Sequence, residues 1–244
     1  RPVTLYQEVH CNKTKEKPAT HKAFLKTLHA MLPSNCRPII VTDAGYKSPW
    51  FRAVRALGWD IIGRIRKPHF YSLDRGDTWQ CIRYLYTQAT CRPKRFDNSQ
   101  IVRSNPFACT LVLFKQKSKG RHASNPDGTR KASKRSKAHA QGAKDPWLLA
   151  TTLASHRSLS KQVVAIYRQR MQIEEGFRDM KSTKFGLGYE QNKSVKKQRL
   201  TILVLLTTLA SLVAILLGII LVSSNKHRRF QANTETRSVL SFHY

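Results

Sequence analysis

Residues 3–65 alternate between strand-like and helix-like apolar patterning, and that rhythm restricts the fold more than any other feature of the chain. Val3-Thr-Leu-Tyr-Gln-Glu-Val9 reads as a strand. From Thr20 to Leu32, Phe24, Leu25, Leu28, Met31 and Leu32 share one side of a helix, which Pro33-Ser34-Asn35 ends. Pro38-Ile-Ile-Val-Thr42 is a short apolar run followed by Asp43-Ala44-Gly45, the pattern of a buried strand ending in a turn. Ser48 and Pro49 open a helix to about Leu57, with Ser48 at the cap and Pro49 at the first helical position. Trp59 to Ile65 is a third strand. Strand, helix, strand, helix, strand predicts an α/β sheet.

Residues 67–146 break the rhythm with short β-like runs, Ile101–Val102 and Ala108–Phe114. Lys115 to Lys144 is polar and basic, without periodicity, and reads as a loop. It serves equally as a solvated linker or as an arm that tracks DNA. Trp147 to Thr152 is a further strand. Ser160 caps a helix from about Lys161 to Ser182, and Gly186 follows its end. Residues 200–222 are apolar throughout and long enough to cross a bilayer. Basic residues flank them on both sides, so the flanks give no orientation. A membrane span and a buried core helix are both open for this segment.

Charge narrows the choice of partner. Among 244 residues, 44 Lys and Arg face 14 Asp and Glu, a net charge of +30. A compact chain so charged repels itself unless an anion neutralises it. Nucleic acid is the expected partner, through release of phosphate counterions; an anionic membrane surface is the weaker alternative. Five cysteines with no C-x-x-C pair argue against a disulfide framework and a zinc finger. No signal peptide is visible, and because a strand begins at once after Arg1, the start reads as a truncation or a late start.

The residues that carry chemistry lie on the helix 161–182. On a continuous helix, Tyr167, Arg170, Glu174, Arg178 and Lys181 fall within an arc of roughly 80° over about four turns. Ile166, Ile173, Phe177 and Met180 form a neighbouring stripe expected to bury against the sheet. Glu175 points about 100° away from Glu174. One acid among cations and a phenol suits a face along which a phosphodiester lies: Tyr and Arg hold phosphates, Lys neutralises charge, and Glu binds a divalent cation. The same face also reads as an ordinary solvated one, with Glu174 paired to Arg170 or Arg178. Asp43 favours the first reading. It sits at the carboxyl end of a predicted strand, where ligands bind in α/β sheets. Asp43 and Glu174 converging on Mg²⁺ would give a two-metal site for in-line phosphoryl transfer. For Asp43 the alternative is a simple turn or cap role.

Tyr167-x2-Arg170-x3-Glu174-x6-Lys181 has the spacing of the Y-R-E-K signature, and the chain resembles the DDE transposases of bacterial insertion sequences. The likeness is greatest to cut-and-paste elements that release DNA through hairpin ends. Val41-Thr-Asp-Ala-Gly-Tyr46 resembles the segment holding that family's second catalytic Asp, and Phe230–Thr234 and Arg237–Ser241 resemble its C-terminal region. The resemblance implies a ribonuclease H-like mixed sheet with flanking helices. Residues 1–66 would form the first part of the catalytic core. Residues 67–146 would be a β-rich insertion carrying the basic loop 115–144. Residues 147–244 would form the second part, with the Glu helix and the apolar helix 200–222. Asp43 and Glu174 would be catalytic metal ligands for Mg²⁺, with Mn²⁺ as an alternative. Tyr167, Arg170, Arg178 and Lys181 would contact DNA phosphates, and Trp147 would stack on a flipped base. The partners implied are double-stranded transposon-end and target DNA, within a homodimer, in the cytoplasm at the nucleoid.

The sequence departs from that pattern in one respect. The family's first catalytic Asp precedes the strand equivalent to 3–9, and no Asp occurs before Asp43. The expectation is a sheet without its central first strand and a chain inactive by itself. The resemblance also turns the expectation for 200–222 towards a buried helix and away from a membrane span.

Overall fold

The computed structural model describes residues 3–66, 68–116, 129, 132–134, 136–137, 142, 145–183, 186–230 and 234. Most of the expected basic loop 115–144, and the C-terminal stretch 237–241, lie outside the described residues. The chain divides into two compact units, Leu25–Arg168 and Arg1–Phe24 with Gln169–Tyr244.

The first unit is built on a seven-stranded sheet. Its strands are β1 (Ile39–Thr42), β2 (Asp60–Ile65), β3 (Phe70–Ser72), β4 (Gln80–Cys81), β5 (Lys94–Ile101), β6 (Phe107–Phe114) and β7 (Trp147–Thr151). Their order is β1-β2-β7-β6-β5-β3-β4. Only β1 and β2 run parallel, from Ile39 opposite Asp60 to Thr42 opposite Gly63. The crossover between them is a helix (Ser48–Ala56), as a parallel pair requires. Ser48 is the first residue of this helix and Lys47 is its cap, one position earlier than expected.

Both faces of the sheet are covered at its centre, which is why β7 is apolar and buried along its whole length. Alternate residues of β2 show how. Gly63 faces the crossover helix, and a Cβ there would lie 2.3 Å from the Phe51 ring. Ile62 faces the other way and joins a cluster with Val112, Phe114, Trp147 and Leu149 of neighbouring strands. Leu159, Val163, Val164 and Tyr167 of the helix Leu159–Gln169 complete that cluster.

Strands β3 to β6, within the stretch 67–146, extend the same sheet: β6 pairs with β7 from Thr110 opposite Thr151 to Phe114 opposite Trp147. Strand β5 is longer than the run Ile101–Val102 suggested. Its residues are mostly polar and exposed, and the buried β6 beside it supplies the pairing. A bulge between Phe96 and Ser99 uses Asn98 at φ 54°, a conformation that Asn tolerates better than most residues.

In the second unit, residues 3–9 do not form a strand. A strand requires a hydrogen-bonded neighbour, and among the described residues none pairs with this segment. Residues 3–7 instead lie along the helix Lys197–Ser223, where the Gln7 amide donates to Val204 O at 3.3 Å and Thr208 Oγ1 at 3.0 Å. That helix was expected to be buried. Of its residues only Gly218 is, while Leu206, Leu209, Val213, Leu217 and Ile220 are each at least half exposed. An apolar circumference has no preferred inward face, and residues 3–7 cover one side only.

The expected helix 161–182 is two helices. Leu159–Gln169 ends before Arg170, and a second helix spans Met171–Lys181. Arg170 keeps helical angles, φ −54° and ψ −30°, but Ile173 N–H closes a tighter turn onto Arg170 O at 3.0 Å. A turn closed at three residues advances more per residue than one closed at four. The single phase expected for all five polar side chains therefore holds only from Met171 onward.

Candidate active site

Asp43 follows β1 directly, at the carboxyl end of the parallel pair, and is exposed. Its Oδ1 accepts the Gly45 N–H at 2.9 Å, which fixes the carboxylate over the turn. A Cβ at Gly45 would lie 3.1 Å from that oxygen, so glycine there leaves the carboxylate its room. The Tyr46 ring packs 4.8 Å from Trp50. Burial, and then the charge of Asp43, push the Tyr46 phenol above its ordinary value. The phenol therefore stays protonated beside the acid.

Glu174 lies in the first turn of the helix Met171–Lys181, where a negative charge complements the helix dipole. It is half exposed, and its Oε1 accepts Arg170 Nη2 at 2.6 Å, the i, i+4 pairing that the residues alone left open. The Arg170 side chain is the more buried partner of the pair and holds the more exposed acid. Glu174, Arg178 and Lys181 line one cleft of about 690 Å³ together with Phe177, Ser182 and Thr183. The helix ends in a close approach: a Cβ at Gly186 would fall 1.7 Å from Asp179 O, which also accepts Leu187 N–H at 3.0 Å.

Tyr167 and Trp147 are placed otherwise than expected. Tyr167 is 1% exposed, and its ring meets Trp147 edge-on at 4.9 Å; Trp147 also touches Phe114 at 5.7 Å. Aromatic rings this close contribute packing beyond their area. A buried phenol and a buried indole offer no face to a phosphate or a base, so the structure shows them as core residues. Ile173 and Phe177, expected to bury against the sheet, are 46% and 52% exposed.

Sequence reasoning missed three cleft residues, Phe177, Ser182 and Thr183, because they lie off the charged arc or past the helix end. It also missed Arg64, the residue two along from Ile62 on the same face of β2. Burial pushes the Arg64 guanidinium below its ordinary value, and neighbouring Tyr167 opposes that shift. Asp43 belongs to the sheet unit and Glu174 to the other unit. Among the described residues no group of three or more His, Cys, Asp or Glu side chains is placed to hold a metal.

A family model for the transposase DDE domain matches residues 4–213. The chain belongs to that family. No curated protein matches it. The match takes in Asp43, Glu174 and the cleft cations, and it ends inside the helix Lys197–Ser223. The transposase domain implies an enzyme that cleaves DNA and transfers strands during transposition, in a family that generally uses divalent metal ions. Its mixed seven-stranded sheet with helices is compatible with a ribonuclease H-like domain.

Proposed function

We propose that this chain is a catalytic-core part of a transposase that performs cut-and-paste DNA cleavage and strand transfer, with Asp43 and Glu174 as carboxylates that hold Mg²⁺. The observation that carries the reading is the Glu174 cleft: a half-exposed carboxylate with Arg178 and Lys181, in a chain matched by the DDE model. The donor chemistry fits, since Mg²⁺ prefers oxygen ligands and both acids are accessible. When bound, the ion activates a water or 3′-hydroxyl and stabilises the leaving oxygen. The chain's own residues do the rest. Arg178 and Lys181 pair with phosphate oxygens and set the register of the DNA backbone. Arg170 holds Glu174 in place through its 2.6 Å contact. Tyr167 and Trp147 keep to the core of the sheet unit. The partners are double-stranded transposon ends and target DNA, handled by a homodimer in the cytoplasm.

Substituting Glu174→Gln tests the assignment. It should release Mn²⁺ measured by electron paramagnetic resonance, yet leave most DNA affinity. Asp43→Asn should do the same. Unchanged Mn²⁺ binding in both variants would remove these acids from the site. A wild-type chain that binds DNA but not Mn²⁺ would be a non-catalytic DNA-binding remnant.

One observation favours a second reading, attachment to a membrane. Lys197–Ser223 is 27 residues long with a mean hydropathy of 2.8 in its most apolar window, enough by length and composition to cross a bilayer. Carbonate washing separates the two, because a membrane-spanning chain stays in the pellet and a DNA-bound one is released.

A further inference from the structure

We propose that the hollow between the start of β3 and the end of β5 is a separate contact for the sugar–phosphate backbone of duplex DNA, with Arg103 as its phosphate-binding residue; the proposal rests on reading the chain as DNA-binding. The hollow holds about 530 Å³ and lies within the sheet unit. Pro68, Phe70 and Val102 give it an apolar lining; His69, Arg103 and Ser104 give it a polar one, without an acid. Deoxyribose carbons suit the first set and phosphate oxygens the second. The turn that carries Arg103 and Ser104 is fixed at both ends. Before it, Val102 N–H donates to Phe70 O at 3.3 Å. After it, Arg52 Nη2 of the crossover helix donates to Asn105 Oδ1 at 2.7 Å, Asn105 O at 3.0 Å and Pro106 O at 2.5 Å. Val102 is held at φ 65°, a strained conformation for a β-branched residue that persists only where the surroundings enforce it. The fold therefore presents Arg103 from a rigid turn, and among the described residues no acid pairs with it. His69 is fixed as well, since its carbonyl accepts Ile82 N–H at 3.2 Å. Burial, and then the charge of Lys47, push its imidazole below its ordinary value. His69 thus has two cationic neighbours, Arg103 in the hollow and Lys47 at the cap of the crossover helix. Positive charge gathered without an acid repels itself, and a phosphodiester in the hollow relieves that repulsion.

The test uses the full chain and a fluorescein-labelled DNA duplex of arbitrary sequence, because a phosphate contact carries no sequence information. Affinity is read by fluorescence anisotropy over a range of salt concentrations. Arg103→Ala should weaken binding roughly tenfold near 0.1 M salt and make the slope of log affinity against log salt shallower by about 1. Arg103→Lys keeps the charge and should recover most of the slope. The urea midpoint of Arg103→Ala should stay at the wild-type value, since the side chain is not an anchor of the turn. A lowered midpoint with an unchanged slope would make Arg103 a structural residue and overturn the proposal. If Lys181→Ala weakens binding and Arg103→Ala does not, the hollow is no DNA contact, while the DNA reading of the Glu174 cleft stands. If Arg103→Ala instead loses binding to phosphatidylglycerol vesicles and keeps its DNA affinity, the hollow faces a lipid surface and the proposal fails. A wild-type chain that does not bind the duplex would sink both the proposal and the DNA reading.

Discussion

Gly63 and Phe51 illustrate how single positions set the geometry around the candidate site. Both are fully buried, and the Phe51 ring occupies the space a side chain at 63 would need, with carbons 2.3 and 2.5 Å from a Cβ built there. That contact seats the crossover helix against β2 and so sets the end of β1, where Asp43 begins its turn. Adding one methyl forces the aromatic ring off its rotamer or moves the helix, at a cost of about 1–3 kcal/mol. Gly63→Ala should lower the urea midpoint with little change in slope, and adding Phe51→Leu should recover part of the loss. A Gly63→Ala chain as stable as wild type would show that the helix yields to the methyl freely and is not seated by this contact. The Glu174–Arg170 pair is the opposite kind of contact. It is short, but half-exposed ion pairs contribute only about 0.3–0.5 kcal/mol, so its value lies in position more than in stability.

At the scale of elements, Lys197–Ser223 sets the physical behaviour of the second unit. Among its half-exposed side chains, Ile202, Leu206, Leu209, Val213, Leu217 and Ile220 fall within an arc of roughly 80° of the helix circumference. A contiguous apolar face of this kind binds dyes, partners or other copies of the chain. The chain should enhance the fluorescence of anilinonaphthalene sulfonate in its native state. Leu206→Lys with Leu217→Lys should reduce that enhancement and raise the soluble yield, because Lys is as good a helix former as Leu. An unchanged signal would mean that these side chains are already covered. The interrupted helix at Arg170 is an element-scale feature too. It changes which residues share a face, leaving Glu174, Phe177, Arg178 and Lys181 in one cleft without Tyr167.

For the molecule as a whole, charge dominates. A net charge of +30 spread over 244 residues makes phosphate neutralisation the main source of affinity in any complex with DNA. If six to ten phosphates are contacted, affinity should fall roughly 10³- to 10⁵-fold between about 50 and 200 mM salt. A plot of log affinity against log salt concentration measures this directly. A slope near zero would mean that the positive charge is not the binding surface. The same charge should make the folded state more stable in salt and on DNA, since both relieve self-repulsion.

What the sequence determined by itself was local. The strand at 39–42, the crossover helix and the strand at 60–65 were legible because apolar spacing reports which residues share a face. The placement of Glu174, Arg178 and Lys181 on one helix face was legible for the same reason, and the family was legible in their spacing. Spacing does not report what a face meets. Only the tertiary structure decided that Tyr167 and Trp147 bury one another, that polar β5 is held by its neighbour, and that residues 3–7 lie along a helix and pair with no described strand. It also decided that Phe177 faces a cleft. All but the last depend on contacts between separate elements, which no local period encodes; the Phe177 cleft is lined by its own helix and the turn after it.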